Sequence, residues 1–315
     1  MYTLATVTQT TPAALTREAR VSWLVSVWLS NRAETTVRAY RLDLEGWADW
    51  LGRTPSQAVE DLLALDAGEA NALGMAYRAS LLERKLSPAT INRRLAALRS
   101  LVDAARTVGL VTWTLSVSGV KAQAYRDTRG PGVSGYRSML AAVAGDDAQS
   151  RRDRALLGML YTMALRRAEA VALDLEDLDL AGSRAWIVGK GRTEREAVSI
   201  PPQTLEALRL WLEVRGSAPG PLFVSLDRRH GGELIRPTLN AVTRRVREIG
   251  EAAGLKVSPH GLRHAGITRA LDLTGGDARR VRALSRHAKI ETLMLYDDAR
   301  RDAGGEVAAL LASDV

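Results

Sequence analysis

Cysteine is absent from all 315 residues of this chain, which excludes disulfides, thiolate catalysis and cysteine-ligated zinc. A long apolar stretch is also missing: no run approaches the roughly 18–20 residues needed to cross a bilayer. The opening Met1-Tyr-Thr-Leu-Ala-Thr-Val-Thr-Gln-Thr lacks the basic start of a secretory signal. There is neither an internal repeat nor a low-complexity tract. These absences lead us to expect a cytoplasmic protein with no membrane partner.

What is present is positive charge. Lys+Arg number 44 against 36 Asp+Glu, a formal net charge of +8, with a pI near 10.1. Hydrophobic residues make up 46% and charged residues 25%, which is enough apolar material for two domain cores at this length. A basic surplus points to a polyanionic partner, most commonly nucleic acid. Most of it falls C-terminal to residue 118, in the clusters Arg151/Arg152/Arg154, Arg228/Arg229, Arg244/Arg245/Arg247 and Arg279/Arg280/Arg282. One such cluster alone reads as a solvated helix face, so the weight lies in their number.

Periodicity organises the chain as mainly α. Residues 1–15 are aperiodic and expected to be flexible. Over 16–114, apolar positions recur at helical spacing, as in Val21, Leu24, Val25 and Trp28, or Val37, Tyr40, Leu44, Trp47 and Leu51. Ser87-Pro88 is a helix start, a capping hydroxyl followed by proline, and opens a helix burying Ile91, Leu95, Leu98 and Val102. Arg93, Arg94 and Arg99 on this helix are candidate phosphate contacts. Trp23, Trp28, Trp47 and Trp50 are expected to pack rather than stack on bases. Residues 115–135, which include Lys121 and a Gly-Pro-Gly break, look like a basic interdomain linker.

From 136 to 315 the pattern is helical again, with one interruption. Arg184-Ala-Trp-Ile-Val, a Gly189-Lys190-Gly191 turn and Glu196-Ala-Val-Ser-Ile predict a β-hairpin. Helices are expected over 203–214, 237–253, 260–273, 277–285 and 290–299, and a short apolar C-terminal helix could dock on a neighbouring protomer.

The chemistry-bearing residues fall in this second part. Arg166, Lys190, His260, Arg263, His287 and Tyr296 occur in that order. Planar guanidinium forks hold the non-bridging oxygens of a phosphodiester bidentately, a lysine on a tight turn can deliver a proton, and imidazoles can hydrogen-bond phosphate. A tyrosine hydroxyl has an ordinary pKa of about 10 and needs fixed positive charge nearby to attack. His260 and His264 stand at the spacing of a zinc protease, but Gly261 occupies the place where the general-base glutamate belongs. No metal is expected, and His264 reads as a structural hydrogen-bonding group.

In this order the residues resemble the tyrosine recombinase (phage-integrase, Xer-like) family. Tyr161-Thr-Met-Ala-Leu-Arg-Arg-Ala-Glu is similar to its first arginine box, Val188-Gly-Lys-Gly-Arg to its lysine hairpin, Ser258-Pro-His-Gly-Leu-Arg-His to its His-x-x-Arg box, and Leu284-Ser-Arg-His through Tyr296 to the box ending in the nucleophile. Leu86-Ser-Pro-Ala-Thr-Ile-Asn-Arg-Arg resembles a helix of the core-binding domain. The resemblance implies a SAM-like helical DNA-binding domain followed by a catalytic domain with a small antiparallel sheet. It also implies a 3′-phosphotyrosyl intermediate, a Holliday junction, no cofactor, and a homotetramer on paired DNA half-sites, with or without a related recombinase. Glu169 would orient a catalytic neighbour, while Arg192, Arg244 and Arg245 join the candidate DNA contacts. Two positions depart from the pattern: Ala164 and Arg286 stand where the family often has glycine. Competing functions are a DNA-bridging protein on the same scaffold, and a topoisomerase-like nicking-closing enzyme.

Overall fold

The computed structural model describes residues 16–121, 130–189, 194–227, 231–287 and 290–294, together with 229, 305 and 311–313. The chain divides into two units, Met1–Gln123 and Ala124–Val315. The stretch 1–15 expected to be flexible, residues 295–299 of the helix expected at 290–299, and most of the expected C-terminal helix lie outside the described residues.

Helix starts in the first unit follow from local chemistry. Helix α1 (Arg17–Ser30) begins after Thr16, whose hydroxyl accepts from the Ala19 N–H. Helix α2 (Glu34–Leu51) stops at Gly52, which takes a left-handed φ of 64°. Reciprocal caps open α3 (Pro55–Ala64), through Thr54 and Gln57, and α4 (Ala67–Glu83), through Asp66 and Glu69. Helix α5 (Pro88–Thr107) opens on Ser87, as its sequence predicts. A cap of this kind contributes about 1 kcal/mol. One core gathers Val21, Leu24, Val25, Leu44, Ile91, Leu95, Leu98 and Val102. Trp28 and Trp47 are buried in it, Trp23 and Trp50 pack at its edge, and the Trp47 ring meets Tyr77 edge-on at 4.8 Å.

The linker expected from residue 115 starts too early. Leu115 and Val117 are buried in the helical core. The Asn92 side chain accepts from the Val120 N–H at 2.8 Å and donates to its carbonyl at 2.9 Å. Gly74 makes room for this strap, because a Cβ there would stand 2.6 Å from Val117 Cγ2. Two apolar side chains among serines and glycine give no readable period, so composition alone placed the boundary short of Gln123.

The second unit is built from α6 (Gly132–Ala142), α7 (Ala148–Tyr161), α8 (Arg167–Ala172), β1 (Leu178–Asp179), β2 (Arg184–Val188), β3 (Arg195–Ser199), α9 (Pro202–Arg215), α10 (Leu239–Ala252), α11 (Pro259–Leu273), α12 (Ala278–Ser285) and α13 (Glu291–Met294). The expected hairpin is β2 and β3, with Trp186 opposite Ala197. A third strand, β1, pairs antiparallel on the other edge of β2. At two residues it is too short to leave a period in the sequence. Helix α7 packs against α9 and α11. Gly266 lets α11 sit against the end of α7, since a Cβ there would lie 2.1 Å from the Tyr161 carbonyl oxygen. A satellite cluster of Ala164, Ile267, Leu271, Val281 and Leu293 ties α11, α12 and α13 to the loop after α7. The molecule is thus mainly α, with an all-helical first unit and a small antiparallel sheet in the second, as expected.

Candidate active site

The loop between α7 and α8 delivers Arg166 to the N-terminus of α8 in extended conformation. Its main-chain N–H donates to Glu169 Oε2 at 2.8 Å, while its Nη1 donates to Glu169 Oε1 at 2.5 Å. Glu169 is only 5% exposed. Burial opposes its ionisation, but the Arg166 N–H, the Arg166 guanidinium and then Arg286 outweigh this and hold its pKa below the usual range.

Helix α11 brings three candidates at once. Ser258 caps it by accepting from the Gly261 N–H, and Pro259 fills its first turn. Arg263, 1% exposed, donates to the carbonyls of Ala164 and Ser285, and its Nη1 lies 3.9 Å from Glu169 Oε2. One turn apart, His260 is exposed and His264 buried, with Nε2 atoms 2.7 Å apart. Burial, then His260, Arg263 and His287, pushes His264 down to about 3. His264 therefore has the hydrogen-bonding role expected of it.

Helix α12 ends at Arg286 in the left-handed region, and His287 follows. His287 Nδ1 lies 3.0 Å from the hydroxyl of the buried Ser285. Burial lowers its pKa to about 4, helped by Arg263, Arg166, His260 and Arg286. At neutral pH the site therefore presents fixed guanidinium charge beside uncharged imidazoles. That combination can hold an oxyanion and still accept or donate a proton. Beside it opens a recess of about 540 Å³ lined by Glu196, Arg279, Arg282, Ala283, Arg286, His287 and Ile290.

Arg166, Glu169, His260, Arg263 and His287 thus come together from three segments of the chain. Lys190, Arg192 and Tyr296 lie outside the described residues, although β2 leads to Lys190 and the buried Leu293 anchors α13 just before Tyr296. Sequence reasoning missed two members of the cluster. Ser285 positions the His287 ring, and Arg286 places Nη2 3.3 Å from Glu169 Oε2. The only signal for Arg286 was an arginine where glycine was the expected residue.

The candidate DNA contacts are differently placed. Arg244 is exposed, its side chain 77% accessible, and Lys121 is also exposed. Arg93 donates to Asp43 Oδ2 at 2.7 Å, and Arg94 donates to the Tyr77 hydroxyl at 3.4 Å with Nε 3.8 Å from Asp43. Arg99 donates to the Val117 carbonyl. Arg245 donates to Asp153, a fully buried carboxylate that Arg152 also holds. Four of the seven therefore have work inside the fold, which their spacing in sequence did not reveal.

The Phage integrase family profile matches residues 134–302, and that of the phage integrase N-terminal SAM-like domain matches 22–108. This chain belongs to the tyrosine recombinase family. It is 43% identical over 290 residues to a tyrosine recombinase of Synechococcus elongatus, covering 90% of each chain. It is 38% identical over 289 residues to one from Synechocystis, covering 90% of this chain and 92% of that one. Against the tyrosine recombinase XerC of Xylella fastidiosa the identity is 30% over 275 residues, covering 83% and 85%. Among solved structures, the Tn1549 transposon integrase in complex with transposon right-end DNA matches with a TM-score of 0.66 at 17% identity, covering 92% of this chain and 99% of that one. XerH bound to its palindromic difH substrate gives 0.64 at 19% identity, covering 93% and 85%. These likenesses support the same fold for this tyrosine recombinase.

Proposed function

We propose that this recombinase cuts and rejoins DNA strands at specific sites through a covalent bond to Tyr296. In the first step the Tyr296 oxygen bonds to the scissile phosphorus and the bond from phosphorus to the 5′-oxygen breaks. The phenolic proton passes to a neighbouring base or to solvent, and Lys190 delivers a proton to the departing 5′-oxygen. Arg166 and Arg263 hold the non-bridging oxygens as charge grows on them. His260 and His287, the latter uncharged at neutral pH, hydrogen-bond the phosphate and help to move the tyrosine proton. Glu169 keeps Arg166 in place. The 3′-phosphotyrosyl bond retains the energy of the phosphodiester, so a 5′-hydroxyl from a second strand can reverse the step without ATP or another cofactor. Two such rounds exchange strands through a Holliday junction.

The observation that carries this proposal is the convergence of Arg166 and Arg263 on Glu169 beside His287. Double-stranded DNA as partner is supported by the basic composition and by relatives solved on DNA, XerH and the Tn1549 integrase among them. A homotetramer on paired half-sites, alone or with a related recombinase, and residence at the nucleoid belong to the same proposal. The exposed Arg244 and Lys121 suit phosphate contacts directly, and Arg93, the most accessible of the three candidates on α5, suits them while held by Asp43.

The deciding experiment is a nicked suicide duplex carrying a site recovered by selection of bound DNA from a random pool. The wild-type chain is expected to become covalently attached. Tyr296→Phe should bind the same duplex with unchanged affinity and form no adduct. An adduct in the phenylalanine variant would overturn the assignment of the nucleophile, and binding without any adduct by the wild type would leave a DNA-bridging protein.

A further inference from the structure

Three arginines, not two, converge on Glu169. The third, Arg286, has a side chain only 6% exposed and places Nη2 3.3 Å from Glu169 Oε2. The same guanidinium donates to the carbonyls of Leu284 at 2.7 Å, Ala164 at 3.1 Å and Met163 at 3.4 Å. Met163 and Ala164 lead into Arg166, while Leu284 leads into His287. One side chain therefore stitches together the two backbone segments that carry these groups. Arg166 answers by donating to the Arg286 carbonyl at 3.4 Å.

This arrangement is held against backbone strain. Arg286 has a φ of 54° and Ala164 a φ of 47°, in a region where a residue with a Cβ loses about 1 kcal/mol or more. Glycine would sit there without strain, but it would bring neither donors nor charge. Charge is the second part of the argument. Three guanidiniums gather at one buried carboxylate, with Glu196 a further acidic neighbour of Arg286, so this group of described side chains is positive on balance. A phosphodiester carries one negative charge and gains another as the attacking oxygen adds. A site that already holds positive charge where the oxyanion develops lowers the barrier without rearranging.

We propose that Arg286 is a positioning residue for strand cleavage, setting the spacing between Arg166 and His287 and supplying part of the charge that meets the developing oxyanion. It acts through Glu169, Arg166 and His287 rather than by touching DNA. The proposal rests on the strand-cleavage function above and deepens it. Lysine at this position would keep the charge but, as a compact ammonium, could not span four acceptors spread over two segments. Glycine would remove both.

The test compares the wild type, Arg286→Lys and Arg286→Gly on the suicide duplex, following adduct formation against pH alongside DNA affinity and thermal melting. Arg286→Gly is expected to fold, to bind DNA within about threefold of wild type, and to form adduct about 100-fold more slowly. Its loss of rate on acidification should set in at higher pH, because His287 has lost a cationic neighbour. Arg286→Lys should be slowed while keeping the wild-type acid limb. An adduct rate in Arg286→Gly equal to wild type, or a slowed rate with an unmoved acid limb, would overturn the proposal. If Arg286→Gly does not fold, Arg286→Lys decides alone, and full activity there overturns it. A wild-type chain that forms no adduct would instead sink the strand-cleavage function itself, so the two failures are distinguishable.

Discussion

Glu169 holds Arg166 by main chain and side chain together, taking the main-chain N–H on Oε2 at 2.8 Å and Nη1 on Oε1 at 2.5 Å. The cap that starts α8 and the contact that aims the guanidinium are thus one carboxylate. The side chain cannot swing away without also losing its hold on the helix start. The spacing of Arg166 and Glu169 is that of a helix cap, and here it also aims the guanidinium proposed to hold the phosphate.

Glu169→Gln keeps the shape of this contact and removes its charge. Three guanidiniums then lose their common counter-charge in a buried place, at about 3 kcal/mol. Urea unfolding should show this loss, and adduct formation on the suicide duplex should slow by about 100-fold. A Glu169→Gln protein with wild-type stability and rate would show that the carboxylate positions nothing.

Acid should weaken the fold through two buried imidazoles. An unfolded histidine takes up a proton near pH 6.5, whereas His264 and His287 in the fold resist it down to about 3 and 4. Between those limits the unfolded chain binds more protons, so stability rises with pH and is fully present only above about 6.5. Each histidine contributes at most about 1.4 kcal/mol per pH unit. Urea midpoints measured at pH 7 and pH 5 should therefore differ, the lower pH giving the lower midpoint, and equal midpoints would contradict the buried neutral imidazoles.

Arg244 and Arg245 are neighbours with different expected losses. Arg244→Ala removes an exposed cation, so DNA affinity should fall and the salt dependence should flatten by about one counterion, with melting unchanged. Arg245→Ala strips one of two partners from the fully buried Asp153, and should destabilise the second unit by about 3 kcal/mol. Equal stability of the two variants, measured by thermal melting, would contradict this division.

Much of this was legible in residue order. Ser87-Pro88 announced α5, Ser258-Pro259 announced α11, and the alternation around Trp186 announced β2 and β3. The boxes carrying Arg166, His260, Arg263 and His287 picked out side chains that the fold brings together. What it could not express was partnership. Arg93, Arg94 and Arg245 looked as available as the exposed Arg244, because nothing local marks Asp43 or Asp153 as buried. Arg286 looked like a local irregularity, because its partners at Met163 and Ala164 lie more than a hundred residues earlier in the chain.

By itself the sequence determined where helices begin, which residue types are available for chemistry, and that the chain carries excess positive charge. Caps, periods and composition act over a few residues, so they survive as patterns in one dimension. Only tertiary structure decided that Arg166, Arg263 and Arg286 share Glu169, that Leu115 and Val117 belong to the first unit, and that His264 and His287 stay uncharged. Charge pairing and desolvation depend on distance and burial, which arise only when remote segments pack together.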